Sequence, residues 1–320
     1  MKNKNGVMSV NAIIEKITEQ IQEGIYPGAS LALYRDGQWS EHYLGLADPE
    51  KGEPVVADLV YDLASVSKVV GVATICAFLY AKGELALDRP FKELYPRFAH
   101  EKTTIRELLT HTSGLDPFIP NRDQLDARQL KTALENLQLK EDKSFHYTDV
   151  NFLLLGFWLE DRFRQPLDRL FEELIFTPWK MTETRFGPVE KAVPTVRGVA
   201  SGSVHDPKAR VLGRHAGSAG LFSTVADLER FLEHYLKDDF ARDLSQNFAR
   251  EEGKTRALGW NLEGDWLDHT GYTGTFIMYN RKRQEAVIFL SNRTYEKDER
   301  AQWILDRNSL MDLIKQECEK

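Results

Sequence analysis

Ser65-Val66-Ser67-Lys68, at the head of a long apolar stretch, puts a hydroxyl and an amine three residues apart. Residues at i and i+3 on a helix are neighbours, so Lys68 can reach the Ser65 oxygen. A serine hydroxyl is a poor nucleophile until a base takes its proton. A lysine buried near other cations loses affinity for its own proton and can be that base. A helix N-terminus adds positive potential where negative charge develops. Together these make a covalent acyl-transfer site that calls for no metal and no cofactor. With 14 serines and 20 lysines in 320 residues, about one S-x-x-K is expected by chance. The bland alternative is an N-cap serine followed by a solvent-facing lysine, so context has to decide.

Two other segments supply that context. Phe145-His146-Tyr147-Thr148-Asp149 ends just before an apolar helical run. A phenol held beside an ammonium can shuttle protons to a leaving group. His269-Thr270-Gly271-Tyr272-Thr273-Gly274 sits at a strand end. Gly271 would let a substrate lie against the backbone. The Tyr272 N–H can pair with that of Ser65 as an oxyanion hole. His269 and Thr270 would offer a cation and a hydroxyl to a substrate carboxylate or carbonyl. Taken singly, each segment also fits a structural role: Tyr147 packing its ring with Asp149 as a helix cap, or a strand end with an incidental histidine.

The elements that must position these groups can be read from periodicity. Val10 to Gln22 has helical spacing, with Ile13, Ile14, Ile17 and Ile21 on one side. Ala29 to Tyr34 and Gln38 to Leu46 flank Asp36-Gly37 and read as a β-hairpin. Ala64 to Lys82 reads as the nucleophile helix, closed by Gly83. From about residue 89 to 198 short helical pieces dominate: Thr104 to Leu109, Leu125 to Leu137, Asn151 to Arg164 and Leu167 to Phe176. A helix follows at Val225 to Leu236. Strands are expected at Leu258 to Glu263, Gly264 to Thr270, Thr275 to Asn280 and Ala286 to Ser291, then a helix over Glu299 to Glu317. The expected organisation is one catalytic unit. Residues 1–88 and 199–320 build an α/β sheet subdomain from both chain ends, and residues 89–198 form a helical subdomain beside it. A substrate cleft is expected between them.

Bulk properties narrow the function classes. The net charge of −7 argues against a nucleic-acid partner, which calls for a basic face. The apolar run Val69 to Ala81 is too short to span a bilayer and fits a buried core helix. Met1 to Asn11 carries lysines without a following apolar segment, so no signal peptide is read and a cytoplasmic location is expected. Two cysteines, Cys76 and Cys318, make no disulfide framework or zinc knuckle. The eight histidines lack H-x-x-x-H or H-x-H spacing, so no metal site is expected. The oligomeric state is not legible.

Ser65/Lys68, Tyr147/Asp149 and His269/Gly271 follow one another in the order of the S-x-x-K, Y-x-N and K-T-G motifs. The chain resembles the class C β-lactamase-like serine hydrolases, a family that includes class C β-lactamases, D-alanyl-D-alanine carboxypeptidases, family VIII carboxylesterases and D-aminopeptidases. Further segments carry the likeness: Ile25 to Gly37, Leu63 to Lys68, Thr104 to Leu115, Val204-His205-Asp206 with His215-Ala216, and Ala219 to Leu228. The resemblance implies a mixed α and β fold, β-lactamase/transpeptidase-like, with an antiparallel sheet covered by helices on both faces plus a helical subdomain. It implies an acyl-enzyme on Ser65, with Lys68 and Tyr147 moving the proton and the N–H groups of Ser65 and Tyr272 holding the oxyanion. Asp149, His269, Thr270 and Gly271 would bind substrate. The implied partner is a small-molecule or short-peptide ester or amide, β-lactams among the candidates.

Two positions depart from the pattern. Asp149 stands where an Asn amide is usual, and an ionised carboxylate only accepts hydrogen bonds. It could instead pair with Lys68. His269 stands where a Lys is usual, so a pH dependence between acid and neutral is expected from it. The polar segment Pro117 to Lys143 is the expected discriminator among subtypes. A penicillin-binding sensor or scaffold that acylates with little turnover is the alternative reading of the same residues.

Overall fold

The computed structural model describes residues 10–250 and 254–319. Residues 1–9, on which most of the signal-peptide reading falls, lie outside the described residues. The chain begins α1 (Val10–Gln22), β1 (Gly28–Arg35), β2 (Gln38–Asp48), β3 (Glu53–Pro54), β4 (Tyr61–Asp62), α2 (Thr74–Ala81). The central part adds α3 (Phe91–Leu94), α4 (Ile105–Thr110), α5 (Ala127–Glu135), α6 (Val150–Phe163), α7 (Leu167–Phe171), β5 (Arg185–Phe186) and α8 (Pro207–Leu212). It ends β6 (Leu221–Ser223), α9 (Val225–Lys237), β7 (Asn261–Glu263), β8 (Trp266–Thr270), β9 (Phe276–Asn280), β10 (Glu285–Ser291) and α10 (Arg300–Cys318).

The main sheet is antiparallel, in the order β3-β2-β1-β10-β9-β8-β7, so strands from both chain ends meet at the β1–β10 pair. Asp36 and Gly37 both take positive φ, which the tight β1–β2 turn requires. Both sheet faces are buried, and alternate side chains go to opposite cores. Leu31, Leu33, Met278, Val287 and Phe289 pack with Ile13 and Ile17 of α1 and Leu310 and Ile314 of α10. Ala32, Ile277, Tyr279, Ile288 and Leu290 face the larger core, which takes in α9 and the nucleophile helix. Burial on both faces explains why β10 reads as a continuous apolar run rather than an alternation.

A second, three-stranded sheet, β4-β6-β5, escaped the sequence reading. Its strands are two or three residues long, too short to show a period. Its central strand, β6, ties Leu63 to the core through the Leu63 N–H donated to Leu221 O at 2.9 Å.

The helix expected to carry the nucleophile is not one regular α-helix. It starts as a 3-10 turn over Ala64–Val66, widens to a π-turn over Val69–Ala73, and becomes α-helical only at α2. The Thr74 hydroxyl donates to Val69 O at 2.6 Å, spanning the wide turn. The whole stretch Ala64–Ala81 is long and apolar enough to cross a membrane by composition, but 78% of it is buried inside the protein, as suits a core helix.

Candidate active site

Ser65 is placed by a strained turn. The Asp62 carboxylate accepts the Ala64 N–H at 2.8 Å and, through its other oxygen, the His205 N–H at 2.8 Å. Ala64 takes φ 45°, unusual for a residue with a Cβ. Across the turn, the Thr273 hydroxyl donates to Asp62 O at 2.9 Å and the Thr275 hydroxyl to Leu63 O at 3.0 Å. These bonds fix the segment after β8 against the start of the nucleophile helix. Ser65 is in the first turn of that helix, where backbone N–H groups have no intrahelical partner. The Tyr272 N–H makes no backbone hydrogen bond among the described residues.

Lys68 is fully buried, and all three of its ammonium donors are engaged. It donates to Ser65 Oγ at 2.9 Å, Asp149 Oδ1 at 2.7 Å and Ser218 O at 3.0 Å. Burial alone would lower its proton affinity. The charge of Asp149, with that of Tyr147, outweighs burial and raises it above the ordinary lysine value. This corrects the expectation that burial turns Lys68 into a free base. Asp149 is held between two cations, since Lys208 Nζ lies 3.1 Å from its other oxygen. Burial raises the Asp149 carboxyl, but Lys68 and Lys208 together pull it well below the usual carboxylate range. Lys208 was not legible in the sequence. It is 140 residues from Lys68, and only the neighbouring His205-Asp206 hinted at this segment.

Tyr147 lies on the same wall, with Lys68 Nζ 5.1 Å from its ring centroid. Its platform is His111, the left-handed C-cap of α4 at φ 58°. The His111 ring centroid is 4.6 Å from that of Tyr147 and 5.4 Å from that of Phe152. His111 Nδ1 takes the Thr148 N–H at 3.4 Å and sits 3.1 Å from Asn151 Nδ2. Burial, reinforced by Arg256 and Lys68, keeps this imidazole neutral. A Thr104/Glu107 capping box starts the same helix, which gives a physical role to the Thr104-to-Leu115 segment.

The third motif departs from expectation at His269. His269 is 2% exposed, and its Nδ1 lies 3.1 Å from Thr270 O. Burial first, then Lys68 and Arg256, push its pKa well below the usual histidine value. It therefore presents no cation and does not change charge near neutral pH, contrary to the expectation. Gly271 lines the cleft, as expected, and the protein's own backbone also requires a glycine there. A Cβ there would lie 2.1 Å from Thr275 Oγ1 and 2.6 Å from Leu63 O.

Ser65, Tyr147 and Tyr272 line two adjoining cavities. One, of about 510 Å³, continues past Asp149, Lys208 and Arg122, the last from the polar segment singled out in the sequence. The other, of about 210 Å³, runs along Thr270 and Gly271 toward α10. The Tyr272 peptide at their junction is clamped: Arg293 Nε donates to its carbonyl at 2.8 Å, and Asp298 accepts from both the Tyr272 hydroxyl and Arg293. Neither Arg293 nor Asp298 carried a sequence signal.

The family model described as Beta-lactamase matches residues 13–310. A protein of Escherichia coli (strain K12), provisionally named a D-alanyl-D-alanine carboxypeptidase, is 28% identical, over 90% of this chain and 83% of its own. A solved beta-lactamase/D-alanine carboxypeptidase from Pseudomonas syringae shares the fold at a TM-score of 0.77 and 20% identity, covering 96% of this chain and 98% of that one. EstCE1, a hydrolase with promiscuous acyltransferase activity, gives 0.76 at 19% identity, covering 95% of this chain and 97% of that one. Since the family model runs from the first helix to the last, through every segment that builds the cleft, the chain belongs to the beta-lactamase family.

Proposed function

We propose that this protein is a serine hydrolase that cleaves a small ester or a D-amino-acid amide through an acyl-enzyme on Ser65. The observation that carries the reading is the 2.9 Å contact of Lys68 Nζ with Ser65 Oγ, in a cleft with Tyr147 on the same wall. Names of similar proteins, a carboxypeptidase and an acyltransferring hydrolase, support the reaction class.

Lys68 spends its three N–H groups on Ser65, Asp149 and Ser218, so it stabilises the serine oxygen as a cation and has no lone pair to offer. Tyr147 is then the proton carrier. Ser65 Oγ bonds to the substrate carbonyl carbon while its proton passes to Tyr147, which takes it as a phenolate beside the Lys68 ammonium. The oxyanion is held by the N–H groups of Ser65 and Tyr272, each such donor being worth about 3 kcal/mol in the transition state. The bond to the leaving alcohol or amine breaks as Tyr147 returns the proton to it. Water repeats the sequence in reverse and frees the acid.

Turnover of aryl acetates tests this. Ser65→Ala is expected to lower kcat at least about 10³-fold, and Tyr147→Phe about 10²-fold or more. A stoichiometric burst with no following turnover would contradict hydrolysis and favour the sensor reading.

A further inference from the structure

The smaller cavity beside Ser65 has an unusual charge. The chain carries a net charge of −7, yet Lys254, Arg293, Arg300 and Arg307 line this cavity with no aspartate or glutamate among its walls. Arg293 is neutralised by Asp298. Lys254, Arg300 and Arg307 make no ion pair among the described residues. They are held by other means. Lys254 stands 5.0 Å from the Phe145 ring centroid and Arg300 5.5 Å from that of Tyr272. Arg307 Nη1 donates to Thr270 Oγ1 at 3.2 Å. Of the acids that act on these cations from behind the wall, Asp268 is buried and already accepts from Asn261 at 2.7 Å, and Glu263 is paired with Lys315.

Gathering three cations that have no ion pair among the described residues around a small cavity is costly unless an anion completes it. A single carboxylate at Thr270 would take the hydroxyl and Arg307, leaving Lys254 and Arg300 unmatched. At about 210 Å³ the cavity is smaller than the roughly 300–1,000 Å³ of drug-sized sites and suits one compact fragment.

We infer that this cavity receives the departing half of the substrate, and that this half is dianionic, a dicarboxylate amine or alcohol of the size of an acidic amino acid. The inference rests on the acyl-transfer reading of Ser65. The chemistry balances as ordinary hydrolysis: the acyl carbon exchanges its bond to the leaving nitrogen or oxygen for one to Ser65 and then to water, and the leaving atom takes the proton. Arg307 and Lys254 are specificity residues, reached by the part of the substrate that leaves.

Three acetate esters that differ only in leaving group form the test: phenyl acetate, 3-acetoxybenzoate and 5-acetoxyisophthalate, each rate divided by its rate of hydroxide hydrolysis. The corrected kcat/KM is expected to rise along the series with charge, at least about tenfold from the uncharged to the dianionic ester. The rise should shrink with added salt. In Lys254→Gln/Arg307→Gln the ratio of dianionic to uncharged ester should fall about tenfold through KM, and Arg307→Lys should recover part of it. A flat or falling series, or an unchanged ratio in the double variant, overturns the inference while leaving the hydrolase reading intact. Turnover that persists in Ser65→Ala, or none with any ester, overturns both.

Discussion

At the scale of single residues, the substitution of a carboxylate for an amide at position 149 sets the character of the site. With Asp149 between Lys68 and Lys208, Lys68 is held as an ammonium, and on the proposed acyl-transfer reading the proton traffic falls to Tyr147. The Asp149 carboxyl is depressed in the folded state, so its contribution to stability is present above the ordinary aspartate range, about pH 4, and is lost as pH falls below it. Asp149→Asn should therefore cost about 1–3 kcal/mol at neutral pH and flatten the acid side of the stability profile, as measured by urea unfolding between pH 3 and 7. Asp62 behaves oppositely. Burial raises its carboxyl to about 6, so its protonated form favours the fold at low pH, and that benefit is lost as pH rises through about 6. Protonation also weakens the acceptor that holds Ala64 and His205. We expect kcat/KM to fall with acid around pH 6, and to keep that midpoint in His269→Gln. A midpoint that moves with His269 would show the imidazole titrating after all. Residue identities at Ser65, Lys68, Tyr147 and Asp149 were legible because they sit in local motifs. Lys208, Arg293 and Asp298 were not, because their partners are distant in sequence and nothing local requires them.

At the scale of elements, short connections position the chemistry. The turn at Asp62 to Val66 and the segment after β8 are fixed to one another by buried hydrogen bonds, and the cap of α4 is fixed to the start of α6 through Thr148 and Asn151. Gly271→Ala would push a methyl into Thr275 and Leu63 O, displacing the Tyr272 N–H from the nucleophile. A shift of about 1 Å in such a site costs about 10²-fold, so kcat should fall by that order with little change in KM. Parallel loss of kcat and structure, read by near-ultraviolet circular dichroism, would instead mean that the strand end unfolds. The long helices and the hairpin were legible to within a few residues, since apolar period and Asp36-Gly37 specify them. The π-turn at Val69–Ala73 and the strands β4, β5 and β6 were not. The π-turn keeps the apolar composition of a regular helix, and the three strands are too short to display alternation.

At the scale of the whole molecule, the main sheet closes only when β1 meets β10, so the site depends on both chain ends. Leu310 on α10 is fully buried in the core that α1 and α10 share beneath the sheet. Leu310→Ala should destabilise by about 2–5 kcal/mol while leaving kcat/KM near wild type below the melting transition. The mixed sheet-and-helix architecture was legible from the ordered motifs and from strands placed at both ends. The cationic lining of the α10 side was not, because Lys254 lies about 50 residues before Arg300 and Arg307 of α10 in an acidic chain. The most direct test of the central claim is intact-mass and peptide mapping of wild type and Ser65→Ala, each acid-quenched seconds after mixing with p-nitrophenyl acetate. A single acetyl group on Ser65 of the wild type, absent from the variant, is the predicted result. An adduct on another residue, or the same adduct on both proteins, would contradict it.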